Sequence, residues 1–249
     1  MPHDIASREF LKDNVRMQID FSMTDQSRGV PPPPLQKPVP VEARIVDLPE
    51  PERCLPRADL AAAIAHRESK RVFAREKLSF EELSFLLWAT QGIRGAPVAG
   101  HALRNVPSAG CRHSFETYLA VFRVAGLETG IYRYLPLTNQ LLLVSQPERL
   151  AERAARAALG QDFAGTSAVT FIWATIPYRM EWRYGGASYK VIALDAGHVC
   201  QNLYLACEAI RCGTCAIAAY DQELMDELVG ADGSDEFVIY VAPVGKVSR

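Results

Sequence analysis

The apolar residues of the 249-residue chain follow two periods, and the shorter period predicts the strands of a sheet. TYLAVFRVAG at 117–126 and GIYRYLP at 130–136 flank a Gly-Leu-Glu-Thr-Gly turn, a pattern that is typical of a hairpin. SAVTFIWATIP at 167–177 is apolar almost throughout, as expected for a strand that is covered on both faces. Further strands are predicted at 140–145, 213–220 and 237–245.

A period close to 3.6 residues predicts the helices. Leu60 and Ile64 lie on one face of a short helix. Ser79 and Glu82 have the spacing of a capping box, in which a serine caps the helix and a glutamate returns to its first amides. The helix behind this box should end near Gly92. Two further helices are predicted at 147–160 and 221–230.

The longest predicted helix covers residues 188–211, which is about 36 Å at ~1.5 Å per residue. It is apolar nearly all round, and such a helix is expected to be buried. In a chain of this length, burial of every face over that distance suggests a second subunit. Asp195 and His198 lie three residues apart within it. An acid–base pair is one interpretation, and we favour a satisfied polar contact in a buried helix.

The chain before residue 57 differs from the rest. It is rich in proline, with a run at 31–34, and proline fixes φ and removes a hydrogen-bond donor, which excludes a helix or a central strand. We therefore predict an extended arm at 1–56 that lies on its own body or on a partner subunit, and one body at 57–249. The predicted class is α+β, with a mixed central sheet flanked by helices.

Composition and motifs exclude several classes of function. The net charge is −2 and the sequence pI is about 6.2, so the basic footprint of a nucleic-acid binder is missing. We find no apolar signal core and no membrane-length run, which predicts a cytoplasmic protein that does not bind membranes. The Rossmann, P-loop, zinc-helix and nucleophile-elbow motifs are absent. Cys212-x-x-Cys215 lacks further ligands, so no metal is expected and the cysteines should be reduced thiols.

Three segments remain that suit a cofactor. Arg67, Ser69 and Arg71 alternate, so an extended backbone places two guanidiniums and a hydroxyl on one side, as in a phosphate clamp. A solvated basic stretch is the alternative. The small residues at 106–110 would let a flat ring approach the backbone, and so would those at 213–217. Close packing of a helix on a strand is the alternative for the last segment.

The motifs of the chain occur in a fixed order: R-x-S-x-R-x-F, L-x-x-L-L-W-A-x-Q-G, V-P-S-A-G, L-D-A-G-H-x-x-Q-N-L, G-T-C-A-I and P-V-G-K. In that order they resemble the nitroreductase superfamily, and most closely its SagB-type dehydrogenase branch. The resemblance extends over residues 60–246. It implies a nitroreductase-like fold and FMN that is bound without a covalent link at a homodimer interface.

The resemblance also assigns residues to the cofactor. Arg67, Ser69 and Arg71 would hold the phosphate and the ribityl chain, and Lys246, which follows P-V-G, would complete the positive charge. Loop residues would lie along the isoalloxazine, and strand residues would line its other side. These are Pro107, Ser108 and Ala109 in the loop, and Gly213, Thr214 and Cys215 in the strand.

Two catalytic side chains are expected near the start of the long helix. Lys190 stands at the family's lysine position, where it could stabilise reduced flavin or protonate an intermediate, and Tyr184 lies close by in sequence. A solvent-facing lysine is the alternative. The chain departs from the family at Glu68, where many relatives have a basic residue, and at Val191, where azoline-oxidising members have a tyrosine.

These residues predict a ping-pong oxidoreductase that carries hydride from NAD(P)H through FMN to a small organic acceptor. Val191 can neither donate nor accept a proton, and azoline oxidation needs a positioned base. Oxidation of a modified peptide from azoline to azole within a partner complex is therefore the alternative. A flavin-binding protein without turnover is a further one.

Overall fold

The structure is a computed structural model that describes residues 8–51, 54–98 and 100–248. Its strands form one large sheet and a separate two-stranded hairpin. The strands are β1 (Ile45–Asp47), β2 (Ile93–Val98), β3 (His101–Arg104), β4 (Phe115–Val121), β5 (Gly130–Leu135), β6 (Gln140–Ser145), β7 (Val169–Thr175), β8 (Cys212–Thr214) and β9 (Phe237–Lys246). The α-helices are α1 (Leu60–His66), α2 (Phe80–Gln91), α3 (Leu150–Ala157), α4 (Phe163–Thr166), α5 (Tyr178–Tyr184), α6 (Ser188–Ala209) and α7 (Gln222–Val229).

The large sheet has the strand order β1-β6-β5-β4-β7-β9-β8, and every pairing within it is antiparallel. Parallel pairing in the described residues is confined to two isolated bridges, Ser69 with Thr214 and Leu78 with Val124. The predicted α+β class is confirmed. The sheet is mixed only through these two bridges.

Both faces of the sheet are covered, which explains the continuous apolar run of β7. Phe171 and Trp173 point into a core formed with α2 and α6, whereas Ile172 and Ala174 point into a second core formed with α3 and α7. Side chains alternate across a strand, so a central strand between two cores is apolar at every position. All seven residues of β7 are buried, as predicted for the 167–177 run.

Several predicted boundaries shift for local reasons. The capping box of α2 is confirmed, since Ser79 Oγ accepts from the Glu82 amide at 3.1 Å and Glu82 Oε2 accepts from the Ser79 amide at 2.9 Å. The helix predicted at 147–160 narrows to α3, because Arg149 at its start has a left-handed φ of 54°. The strand predicted at 213–220 ends at Thr214. The β2–β3 hairpin was not predicted.

Helix α6 is the long helix of the sequence analysis, and it ends at Ala209 rather than at residue 211. One side is buried against the sheet and α2, but the other side is open in the single chain, where Leu194 is 54% exposed. The apolar face of α1 is open as well, with Leu60 at 63% and Ile64 at 58% exposure. A single chain therefore leaves part of the apolar surface of these two helices exposed.

The N-terminal segment lies on the body of its own chain. Its only strand in the described residues, β1, pairs antiparallel with β6 at the edge of the large sheet, where the proline-rich sequence places it outside the centre. Two short 3-10 turns, Asn14–Gln18 and Phe21–Met23, precede the proline run, so the segment is not extended throughout. No helix in the described part of the chain is long and apolar enough to cross a membrane.

Candidate functional site

The segment that contains Arg67, Ser69 and Arg71 runs beside β8. Ser69 forms a parallel bridge with Thr214, and the amide of Lys70 donates to the Thr214 carbonyl at 2.9 Å. The approach is close, because a Cβ on Gly213 would lie 2.6 Å from Lys70 Cβ. The structure thus brings together two segments that the sequence analysis assigned to one cofactor, and it explains why residue 213 has no side chain.

Tyr204 of α6 joins these two segments. Its hydroxyl lies 2.9 Å from Ser69 Oγ and accepts from the amide of Ala216 at 2.9 Å. The guanidinium of Arg67 lies over its ring, 5.2 Å from the centroid, in a cation–π contact. Sequence reasoning missed Tyr204. A hydroxyl in an otherwise apolar helix, immediately after the Q-N-L motif, was the available signal.

Next to Ser69 in this cluster lies a buried hydroxyl that has no partner in the described residues. Thr214 is 1% exposed, and its Oγ1 has no hydrogen-bond partner in the described part of the protein. Most buried polar groups are hydrogen-bonded, so such an atom needs an explanation, and a bound ligand or water is a common one. The neighbouring Cys215 is buried, and its thiol lies 3.7 Å from the backbone carbonyl of Ala216. Arg71 is exposed.

The loop at 106–110 is bound to α6 through Asp195, away from the cluster around Tyr204 on the same helix. Both carboxylate oxygens of Asp195 lie 3.3 Å from the amide of Ala109, which donates to them. Ser108 Oγ accepts from the amide of His113 at 2.9 Å. Pro107 is exposed, whereas Ser108 and Ala109 are half-buried. Asp195 therefore anchors the loop to the helix.

Burial raises the pKa of the Asp195 carboxyl, and its hydrogen bonds with the Ser108 hydroxyl and the Ala109 amide partly oppose that rise. His198 Nδ1 lies 3.9 Å from the carboxylate, beyond hydrogen-bond distance. Asp195 thus makes a polar contact in a buried position, as we favoured, but its hydrogen-bond partners are in the loop and not His198.

Tyr184 and Lys190 lie on either side of the 3-10 turn Gly185–Ala187, which joins α5 to α6. The Tyr184 hydroxyl lies close to the loop, since a Cβ on Gly110 would be 2.6 Å from it. The Arg183 guanidinium lies 5.5 Å from the centre of the Tyr184 ring. Lys190 is half-buried in the first turn of α6. The structure thus brings Tyr184 beside the loop, and Lys190 follows six residues later at the start of α6.

Lys246 is placed differently from the other predicted cationic residues. Its ammonium forms an ion pair with Glu82, and the Ile210 carbonyl accepts from it at 3.5 Å. Burial alone would lower the pKa of Lys246, but the hydrogen bond and charge of Glu82 outweigh it and raise the pKa. Lys246 lines a cavity of about 750 Å³ together with His66, Glu68, Lys70 and Glu82, whereas Arg67, Ser69 and Arg71 are not among the residues that line this cavity.

The two ends of the site lie along one helix. Asp195 and Tyr204 are nine residues apart on α6, which is about 14 Å at ~1.5 Å per residue. One end offers a guanidinium, hydroxyls and an unpartnered buried oxygen, and the other offers a loop of small residues beside Tyr184. These residues fit FMN, an elongated molecule with a phosphate at one end and a flat ring at the other. No cluster of metal-ligating side chains was found in the described residues.

Comparison with known proteins identifies the family. The profile of the Nitroreductase family matches residues 64–246. A nitroreductase-family protein of Methanocaldococcus jannaschii is 30% identical over 188 residues, which are 75% of this chain and 90% of that protein. The trifolitoxin-processing protein TfxB of Rhizobium leguminosarum bv. trifolii is 27% identical over 158 residues, but these are only 42% of its length and 60% of this chain.

Solved structures agree with the sequence comparison. The crystal structure of a nitroreductase-like protein from Ralstonia eutropha superposes with a TM-score of 0.69 at 25% identity, covering 88% of this chain and 95% of the other. The large antiparallel sheet and its helices are therefore the fold of this family. The likeness to TfxB agrees with the SagB-type resemblance of the motifs. The chain belongs to the nitroreductase family, whose members are oxidoreductases that generally bind flavin.

Proposed function

We propose that the protein is an FMN-dependent oxidoreductase that takes hydride from NAD(P)H and passes it to a small organic acceptor. The observation that carries this proposal is the cluster around Tyr204. Arg67 and Ser69 of one segment meet Thr214 of a distant one there, and in the described residues the buried Thr214 hydroxyl has no partner. A phosphate or ribityl oxygen would supply the missing partner, and Arg67 the charge.

Each part of the site has a role in this proposal. Arg67, Ser69 and Arg71 bind the phosphate and ribityl chain. The loop of Pro107, Ser108 and Ala109 lies along the ring, and Gly213, Thr214 and Cys215 line its other side. When bound, FMN supplies hydride transfer in a ping-pong cycle. Lys246 adds positive charge only if its ion pair with Glu82 opens.

Lys190 and Tyr184 are the groups that we assign to proton handling at the ring. The Tyr184 hydroxyl is held against Gly110, and Lys190 brings a positive charge to the first turn of α6. A lysine near the ring would stabilise negative charge there, and a tyrosine hydroxyl can donate to an acceptor. We place the enzyme in the cytoplasm, where NAD(P)H is available.

We also propose that the enzyme is a homodimer formed through α6. The open side of this helix carries the small residues Ala193 and Gly197, which let two helices approach closely. If two copies of α6 cross antiparallel near Gly197, the loop end of one protomer comes beside the Tyr204 end of its partner. The flat ring can then lie between the loop of one protomer and the β8 residues of its partner.

An absorbance spectrum of the purified protein tests the proposal. We expect a yellow protein that is bleached by NADH or NADPH and reoxidised by menadione or a nitroaromatic compound. Arg67→Ala combined with Arg71→Ala should give a folded protein without flavin. A matched control, Arg94→Ala combined with Arg156→Ala, removes two arginines elsewhere and should keep it. A colourless wild type would contradict FMN binding, and a yellow protein that no reductant bleaches would indicate a flavin-binding protein without turnover.

A second candidate is oxidation of a modified peptide from azoline to azole within a partner complex. The likeness to TfxB, a trifolitoxin-processing protein, favours it. Val191 argues against it, because that position cannot supply a base. The oxidised enzyme should therefore not be bleached by a thiazoline peptide. Rapid bleaching by the peptide, with no reoxidation by either small acceptor beyond the rate of free FMN, would reverse the order of the two candidates.

A further inference from the structure

The N-terminal segment has two parts that are attached to the body very differently. The root, residues 24–47, is bound by polar contacts. The amide of Lys37 donates to Glu116 at 2.9 Å, and the guanidinium of Arg133 donates to the Pro38 carbonyl at 2.7 Å. The Gln26 amide donates to the Trp182 carbonyl at 2.9 Å. Together with β1, these contacts make the root part of the folded body.

The tip, residues 8–23, has no such attachment. In the described part of the chain, its hydrogen bonds stay within the arm, for example from Arg16 to Asp13 at 2.7 Å and from the Ser22 amide to Asp20 at 3.0 Å. Segments with few buried contacts and no hydrogen bonds to the rest of a protein open at low free-energy cost. The tip is therefore the part of the arm that can move while the root stays in place.

The tip lies over the turn that joins Tyr184 to Lys190. The side chain of Ile19 would lie 3.8 Å from a Cβ on Gly185 and 3.9 Å from one on Gly186. Arg16 lies close enough to Tyr184 for the charge of Tyr184 to contribute to the raised pKa of Arg16, and Asp13 lies close enough to Lys190 for that charge to help lower the pKa of Asp13. The hydrogen bond between Arg16 and Asp13 makes the larger contribution to both pKa values. The tip thus covers the approach to the two residues that we assign to proton handling.

The contact surface suits repeated opening. Two consecutive glycines offer no side chains that would interlock with the tip, and Ile19 is only half-buried on them. The proline run at 31–34 lies within the root and stiffens it, because proline-rich chain behaves as a semi-rigid spacer. The matched family profile begins at residue 64, so the arm lies outside the matched region.

We propose that residues 8–23 form a movable flap that closes over Tyr184 and Lys190 and selects acceptors by size. The proposal rests on the function proposed above, because it takes these two residues to mark the acceptor side of the site. Small acceptors pass under the closed flap, whereas bulky ones need it open. Ile19, which contacts the body, is the residue that sets how often the flap opens.

Ile19→Asp tests the flap, because an aspartate cannot remain packed on the Gly185–Gly186 backbone. The matched control is Met17→Asp, two residues away, whose side chain is 88% exposed. The first readout is independent of turnover: the rate at which acetic anhydride modifies Lys190, followed by mass spectrometry of the purified protein. We expect about a tenfold increase for Ile19→Asp, in proportion to the lost apolar contact, and no change for Met17→Asp.

The second readout is the ratio of kcat/KM for a bulky acceptor, anthraquinone-2-sulfonate, to that for the small acceptor nitrobenzene. Ile19→Asp should raise this ratio and Met17→Asp should leave it unchanged. A chain shortened to begin with Met before Thr24 should behave like Ile19→Asp, since it keeps the root. Unchanged Lys190 modification in both flap variants would overturn the proposal, and so would faster modification with an unchanged ratio. A wild type without flavin would instead contradict the proposed function.

Discussion

Among single residues, Tyr204 has the most specific position, since its hydroxyl connects three segments of chain. Tyr204→Phe removes the partner of Ser69 and leaves the Ala216 amide without its acceptor. An unsatisfied amide costs about 1–3 kcal/mol in the free energy of unfolding when it is buried, and Ala216 is half-buried. We expect that loss together with a weaker affinity for FMN, measured by denaturant titration and by flavin fluorescence quenching.

Tyr220→Phe is the matched control for that change. The Tyr220 hydroxyl donates to the Val238 carbonyl at 2.9 Å and belongs to the core on the other face of the sheet. This variant also loses one hydrogen bond, so its free energy of unfolding should fall, but its affinity for FMN should not change. Equal affinity in both variants would mean that Tyr204 has no part in the cofactor site.

Asp195 gives a prediction about pH. Burial raises its pKa above the ordinary value of 3.8, so between that value and the raised pKa the folded protein binds more protons than the unfolded chain. Stability from this group is therefore present below 3.8 and lost as the pH rises through the raised pKa. Asp195→Asn keeps an acceptor for Ala109 but cannot titrate. Wild type should gain free energy of unfolding relative to Asp195→Asn as the pH falls through this window, measured by urea unfolding.

A third protein, Asp195→Ala, compared with wild type and Asp195→Asn, tests whether Asp195 anchors the loop. Asp195→Ala removes the acceptor altogether and should lose both stability and flavin at neutral pH, whereas Asp195→Asn should keep the flavin. A pH-independent difference between wild type and Asp195→Asn would show that the carboxyl titrates alike in the folded and unfolded chains. That result would contradict the raised pKa.

At the scale of elements, the sequence predicted those features that local patterns determine. The capping box at Ser79 and the run of β7 depend on neighbouring residues and on burial, and both appear as predicted. The β2–β3 hairpin escaped prediction because Gly95, Pro97 and Gly100 interrupt any alternation of apolar and polar residues. In the described residues its strands pair only with each other, and β3 buries Arg104 while it exposes Leu103, so its apolar residues do not mark the buried face.

The site could be predicted from sequence only in part, for a related reason. The alternation of Arg67 and Ser69 is a local pattern, and the family motifs indicated that residues 213–215 belong to the same cofactor site. Tyr204 was missed because a tyrosine in an apolar helix is usually a core residue. The Glu82 partner of Lys246 lies 164 residues away in sequence, and no local pattern encodes that pairing. Whether all the assigned residues bind FMN stays a prediction.

The root of the arm yields a prediction of its own. Glu116 is 3% exposed, and it accepts from Arg179 at 2.5 Å and from the Lys37 amide at 2.9 Å. Glu116→Gln leaves the buried guanidinium of Arg179 without a counter-charge, and breaking a buried ion pair in this way costs about 3–5 kcal/mol. We expect that loss in the free energy of unfolding.

Glu128→Gln is the control: it breaks the exposed pair with Arg44 and should cost less than about 1 kcal/mol. Equal losses would mean that this buried ion pair contributes no more to stability than an exposed one.

On the scale of the whole molecule, the open faces of α1 and α6 carry the last prediction. Ile64 is 58% exposed and Leu194 is 54% exposed, and the proposed dimer would bury both. Ile64→Asp combined with Leu194→Asp places unpaired carboxylates in that interface, which disfavours association. Because both positions are open in the single chain, the variant should keep its fold by circular dichroism. Light scattering should then give 27.5 kDa for the variant and twice that mass for wild type, and the variant should lose its flavin.

The control is Leu137→Asp, at a position that is 44% exposed in the turn after β5, and this variant should stay dimeric and yellow. A monomeric wild type that retains FMN would contradict a site completed across the interface.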